Sequence, residues 1–189
     1  MFNYFIGLTF LITTSPACAA IYQWFDGDDN GSLWLSNSIV EPYSDLSSEI
    51  LWWANLENAN LHHTNLMFTN LTFANLENAN LSSSDLSNAN LFNANLENAD
   101  LAFTNFTGAD LQFSDLENAN MFYADFTDTN LSNIQNWETS YWLAARYTEN
   151  TIFPNGMDPT VLGMIELTVP TPGILCMASF SLLLHRRRR

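Results

Sequence analysis

The chain has 189 residues, with twenty Asp and Glu against five basic residues, and a formal net charge of −15. Every acidic residue lies between Asp26 and Glu166, whereas the basic ones are Arg146 and Arg186 to Arg189, so the body from Ile21 to Pro170 sets twenty negative charges against one positive, a formal net of −19. A body so acidic repels nucleic acid and anionic lipid. Its only cysteines, Cys18 and Cys176, fall in terminal apolar segments, which excludes disulfide and thiol chemistry from the body.

Residues 1–20 read as a secretory signal peptide: an apolar run from Tyr4 to Ile12, then Ser15-Pro16, then small residues Ala17-Cys18-Ala19-Ala20 at the cleavage point. Signal peptidase is thus an expected partner. Ser15 and Pro16 stand where a lipoprotein signal prefers Leu and a small residue, so lipidation of Cys18 is the weaker reading. Residues 21–53 are expected to form an N-terminal cap. Within it, Asp26-Gly27-Asp28-Asp29-Asn30-Gly31-Ser32 resembles half of an EF-hand calcium loop, but Asn37 takes the place of the bidentate Glu and no helical pattern precedes it. An acidic turn between two cap strands is the better reading. Ser44-Asp45-Leu46-Ser47-Ser48 falls in the frame of the repeat that follows, and Trp52 and Trp53 are expected to cover the open end of that repeat.

From Ala54 to Asn133 one five-residue unit recurs sixteen times without a break. Its middle residue is Leu, except for Phe106, Met121 and Phe126; two places earlier stands Ala, Ser or Thr, and one place earlier Asn or Asp. A helix would wind a stripe of period five around its surface, and a flat strand needs an even period. What fits is a short extended piece, with the small residue and the Leu pointing the same way, followed by a two-residue bend. If each unit turns the chain by a quarter, four units close a square, giving coils of twenty residues stacked ~4.8 Å apart.

These units resemble the pentapeptide-repeat family. The resemblance implies a right-handed quadrilateral parallel β-helix of about four coils, all-β, with the Leu or Phe and the small residue inside and the other three residues outside. Fold is set by this far more sharply than function, since one fold serves many ends.

A second period overlies the first. Leu-Glu-Asn returns every twenty residues, which predicts Glu57, Glu77, Glu97 and Glu117 in one outer column beside Asn58, Asn78, Asn98 and Asn118. Two readings of the glutamates compete: a remnant of coil duplication that solvent and salt tolerate, or a strip for a divalent cation such as calcium; no other cofactor is expected. The adjacent His62 and His63 lack a converging third ligand and read as surface residues. Phe68, Phe73, Phe103, Phe113, Phe122 and Tyr123 are predicted to point outward, as inter-coil support or as a patch for a partner or glycan, with Phe103 and Tyr123 stacked one coil apart.

Past Asn133 the frame fails and aromatics return at Trp137, Tyr141, Trp142 and Tyr147, so residues 134–168 are expected to form a C-terminal cap. The segment from Tyr147 to Pro159 resembles the closing segment of exported pentapeptide arrays. Residues 169–189 comprise Val169-Pro170-Thr171-Pro172, twelve mostly apolar residues from Gly173 to Leu184, then His185, Arg186, Arg187, Arg188 and Arg189. Twelve helical residues span roughly 18 Å, short of a ~30 Å hydrocarbon core. The order resembles a PEP-CTERM sorting tail, with Thr171 in place of the Glu of the namesake motif. That resemblance implies transient membrane contact, arginines on the cytoplasmic side, and removal by a membrane exosortase; a plain C-terminal anchor is the competing reading.

Three functions follow from these expectations. The first is a non-enzymatic structural or interaction protein, exported to the bacterial envelope or exterior, meeting matrix polysaccharide or cations and no nucleic acid. The second is a carbohydrate-active or carbohydrate-binding β-helix. The third is the DNA mimicry by which some pentapeptide-repeat proteins act on gyrase, which export disfavours. Enzymatic chemistry is not expected, since beyond one Arg and the two His the body offers no electrophile, thiol or clear acid–base pair.

Overall fold

The computed structural model describes residues 42–168, together with the backbone pairing of two short strands, β1 (Trp24–Phe25) and β2 (Leu33–Trp34). The signal-like segment, the Asp26 to Ser32 turn, both cysteines and the tail from Val169 onward lie outside the described residues.

The chain winds as a right-handed quadrilateral parallel β-helix. Parallel bridges join residues twenty apart on all four sides, as Asn55 to Asn75, Asn60 to Asn80, Asn65 to Asp85 and Asn70 to Asn90. One unit shows why the sequence adopts it. Ala59 donates its N–H to the Leu56 carbonyl at 3.0 Å and closes the corner. Leu56 and Asn58 donate to the carbonyls of Asn75 and Glu77 in the next coil at 2.7 and 2.8 Å, and Asn75 donates back to Ala54 at 2.8 Å. The remaining N–H, that of Glu57, is taken by the side-chain oxygen of Asn55 at 3.1 Å. A unit therefore leaves no backbone donor unpaired, and the Asn or Asp before each Leu is explained: its side chain caps the one amide that neither the corner nor the stack can reach.

The corner also fixes the last residue of each unit. From Tyr43 to Asn133 every fifth residue has φ between +55° and +70°. Asn and Gly enter this left-handed region with least strain, and bulky residues do so reluctantly. Asn holds the corner at 58, 78, 88, 93, 98, 118 and 133, and Gly108 at a corner where a Cβ would stand 2.8 Å from Asn88 Oδ1.

Inside, the Leu positions from 56 to 131 and the alanines at 54, 59, 74, 79, 89, 94, 99, 109, 119 and 124 are buried. Phe106 and Phe126 stack one coil apart at 5.1 Å and 3°. Four of the inward hydroxyls donate to the corner carbonyl one coil back, Thr69 to Leu46 at 2.9 Å, Ser84 to Leu61 at 2.6 Å, Thr104 to Leu81 at 2.8 Å and Thr129 to Phe106 at 2.7 Å, and Ser114 donates to Leu111 of its own corner at 2.7 Å. These five are satisfied polar groups within an apolar column, whereas the buried Thr64 hydroxyl has no hydrogen-bond partner among the described residues.

Two boundaries differ from expectation. The winding begins before the Ala54 boundary, as the in-frame unit Ser44 to Ser48 anticipates: Leu46 and Leu51 are buried, and Asp45 and Ile50 bridge to Asn65 and Asn70. Trp52 and Trp53 do not cover the open end. They occupy the two outward corner positions, 54% and 44% exposed, because the frame already runs through them. At the other end the coil continues beyond Asn133, with bridges Asp115 to Gln135, Asn120 to Tyr141, Asp125 to Arg146 and Asn130 to Ile152. One extra residue enters at the 3-10 turn Trp137–Thr139 and another before Ile152, which breaks the five-residue frame while the winding goes on. Trp142 is buried against Phe126 and donates its indole N–H to the Trp137 carbonyl at 2.9 Å. At the first coil β3 (Ala54–Asn55) receives β2, and a parallel pair, β4 (Arg146–Tyr147) with β5 (Ile165–Glu166), covers part of the last.

Candidate functional site

The four sides carry different outward chemistry. On the side formed by residues 54–58, 74–78, 94–98 and 114–118, Glu57, Glu77, Glu97 and Glu117 stand in register one coil apart, as their backbone bonds show: Asn58, Asn78 and Asn98 donate to the carbonyls of Glu77, Glu97 and Glu117 at 2.8, 2.9 and 2.7 Å. The expected column exists. Three of its carboxylates accept from the neighbouring corner amide, Asn58 to Glu57 at 3.1 Å, Asn78 to Glu77 at 3.5 Å and Asn98 to Glu97 at 3.3 Å. The four lie along a line, and among the described residues no three His, Cys, Asp or Glu side chains converge as metal ligands. The four carboxylates thus follow one another along the coil rather than surrounding one point.

The column stands out against a rule kept elsewhere. At the position before each Leu, six of the residues between Asp45 and Asn130 are Asp, and no two of them are one coil apart. On one side Asp45, Asn65, Asp85, Asn105 and Asp125 alternate, with Asn65 donating to Asp45 at 3.0 Å and Asn105 to Asp85 at 3.1 Å. Arg146 ends that series 3.9 Å from Asp125, as an exposed pair of small energetic weight. Hydrogen bonds from Ser47, side chain then backbone, hold the Asp45 carboxyl below its usual range, as Thr160 does for Asp158. Burial raises the Tyr147 phenol.

The side formed by residues 49–53, 69–73, 89–93 and 109–113 is aromatic. Trp53 stacks on Phe73 at 4.5 Å and 15°, Phe92 meets Phe73 edge-on at 6.0 Å, and Phe113 meets Phe92 at 5.3 Å and 61°. The opposite side holds a shorter group in its upper coils: Phe103 and Tyr123 stack at 5.5 Å and 9° as expected, with Phe122 between them and Tyr141. These rings support one another between coils, yet Phe103, Phe113 and Tyr123 remain 40–56% exposed, and Phe68, on a third side, is 59% exposed. At the lower end of the opposite side His63 stacks on Tyr43 at 4.8 Å, and His62 Nδ1 lies 2.7 Å from Asn60 Oδ1, which agrees with surface residues.

A family model described as pentapeptide repeats matches eight copies over residues 51–82, 84–121 and 99–134. Among solved structures, alr5209, a pentapeptide repeat protein from Nostoc PCC 7120, is 33% identical over 55% of this chain and 84% of its own, with a TM-score of 0.53. Rfr23, a pentapeptide repeat protein from the cyanobacterium Cyanothece 51142, superposes with a TM-score of 0.58 over 59% of this chain and 89% of its own, at 23% identity, and speaks to fold alone. A search of the curated proteins finds no match. The chain belongs to the pentapeptide repeat family.

Proposed function

We propose that this protein is an exported, non-enzymatic interaction protein of the bacterial envelope or exterior, displaying side-chain columns on a rigid β-helix. The observation that carries the reading is the sorting of chemistry by side: identical backbone units present Glu and Asn on one side and aromatic rings on another, each repeated at the coil spacing. Pentapeptide repeat proteins are in general non-enzymatic structural or interaction proteins, and the body's charge of −19 keeps such a scaffold soluble and clear of anionic surfaces. Export is supported by the signal-like segment before Ile21 and by the order of Pro-rich motif, apolar run and arginines from Val169 onward, which suits an exosortase-type processing enzyme.

Fractionation of the native host with intact-mass measurement of the mature protein tests this. The expected outcome is an envelope or extracellular protein lacking residues 1–20 and the apolar and arginine segments of the tail. A full-length chain recovered from the cytoplasm would overturn it.

A further inference from the structure

We propose that the aromatic side of the coil is a docking surface for a neutral polysaccharide. The inference rests on the interaction-protein reading and names the partner.

Three observations carry it. First, the rings stand where the backbone does not favour them. Trp53, Phe73 and Phe113 occupy corners with φ of +58°, +59° and +61°, whereas the equivalent corners of the acidic side are Asn58, Asn78, Asn98 and Asn118. Each ring is held in a conformation that Asn or Gly would enter with less strain, as are Phe68, Phe103 and Tyr123 on other sides; Phe73 is half-buried, whereas burial does not compensate at Trp53 and Phe113, which stay 44% and 40% exposed. Trp52 and Ile50, on the same side, are 54% and 65% exposed. A sequence that sets large rings against local preference on a wet surface does so where the surface has work to do.

Second, charge selects the ligand. Of the twelve outward positions on this side from Ile50 to Phe113, only Asp110 is charged, on a body with one basic residue among the described ones. An anionic ligand meets the −19 field of the body with no cation on this side to receive it. A second copy would bring a like charge of equal size. A neutral ligand meets neither obstacle.

Third, the rings alternate with hydrogen-bonding side chains at coil spacing. Asn93 lies among Phe73, Phe92 and Phe113 together with Asn70, Thr72, Asn90 and Gln112, each of which also makes a hydrogen bond within the chain, as Asn90 caps the Phe92 N–H at 3.0 Å. Pyranose units offer apolar C–H faces for rings and hydroxyls for amides, and Phe92, turned 79° from Phe73 and 61° from Phe113, breaks the ladder of parallel rings.

The test is native affinity electrophoresis of the purified full-length chain in gels containing hydroxyethylcellulose, galactomannan or dextran, against plain gel and carboxymethylcellulose. Retardation is expected in at least one neutral gel and none in carboxymethylcellulose. The double variant Phe73→Asn with Phe113→Asn, which places at both corners the residue the backbone prefers, is expected to keep its circular dichroism and weaken retention about tenfold. Trp52→Ala, at a position more than half exposed, is expected to weaken it as well, and Phe103→Asn on the opposite side to leave it unchanged. Mobility unaffected by all three neutral polymers, equal retardation in carboxymethylcellulose, or variants retained like the parent would overturn the proposal. So would a doubled mass by light scattering that the double variant abolishes, which would make the occupant a second copy. Because the purified chain is used, failure here leaves the fractionation result standing, and a cytoplasmic fractionation result leaves this one standing.

Discussion

The acidic and aromatic sides share one backbone and one core, yet solve the corner in opposite ways. On the acidic side each left-handed corner is Asn, which relieves strain and, at three of the four, turns its amide toward the neighbouring Glu. On the aromatic side three of the corners are Trp53, Phe73 and Phe113, which accept the strain and stack or lean across the coils. Inward positions specify the fold identically under both sides, so the outward residues are free to differ. The difference separates what the fold needs from what the surface does.

The largest effect should come from attacking what the two sides share. Leu91, beneath the aromatic side, and Leu96, beneath the acidic side, are both fully buried. Leu91→Asp and Leu96→Asp each strand a carboxylate in an apolar column, and each should cost more than about 4 kcal/mol and abolish the cooperative melt. Circular dichroism and thermal unfolding decide it; a large disparity between the two would mean that the sides do not rest on one core.

Next in size is the side-chain cap. Asn95 takes the Glu97 N–H at 3.0 Å and donates to Asn75 at 3.1 Å, both partly buried. Asn95→Ala should destabilise by about 1–2 kcal/mol, and Asn90→Ala on the aromatic side, where Asn90 caps the Phe92 N–H at 3.0 Å, should lie near the lower end. Asn95→Asp keeps the accepting oxygen but loses the amide that donates to Asn75 and sets a second carboxylate one coil from Asp115, so it should recover only part of the loss in chemical denaturation.

Much of this was legible in the sequence, and the reasons for the remainder are physical. The period of five with its small residue and Leu predicts the inward columns, and the twenty-residue return of Leu-Glu-Asn predicts the Glu column and the Phe103–Tyr123 stack. The corner was not legible in the same way. Its residue looks variable when letters are compared, as Asn58, His63, Phe68 and Phe73 in succession, because the constraint is on φ rather than on chemistry. The ends differ from expectation for a related reason: an extra residue at Trp137–Thr139 breaks the letter pattern but only bulges a corner, so Tyr141, Trp142 and Arg146 still wind in register with the coil below. Trp52 and Trp53 read as a lid because their outward positions follow only once the frame is extended back to Asp45.

The corner difference can be exchanged directly. Asn78→Phe on the acidic side adds left-handed strain without a ring one coil away to stack on, and should destabilise by about 1 kcal/mol. Phe73→Asn on the aromatic side relieves that strain but loses the 4.5 Å stack with Trp53, and the two should nearly cancel, to within about 1 kcal/mol. The asymmetry is the prediction. Equal losses in thermal melts of the two variants would mean that the corner conformation carries no preference of its own.

The smallest effect concerns the glutamates themselves. Neighbouring glutamates stand ~5 Å apart at the backbone, where like charges repel by about 1 kcal/mol in water before their side chains splay. With the carboxylates exposed to solvent and three of them held by corner amides, the residual repulsion should be a few tenths of a kcal/mol per contact at low salt, and less once the Debye length falls to ~3 Å near 1 M. Glu77→Gln with Glu97→Gln removes every contact of the column, and so should raise the melting temperature slightly in dilute buffer and not at all in concentrated sodium chloride. The aromatic side, whose outward positions carry only Asp110, offers the control: Asp110→Asn should show little salt dependence, and its effect should follow the capping bond to the Gln112 N–H at 3.1 Å. Calcium at matched ionic strength separates screening from binding. Because the carboxylates lie in a line rather than around a point, calcium and sodium should give the same melting temperature, and a gain specific to calcium that the double variant abolishes would show that the column binds the ion.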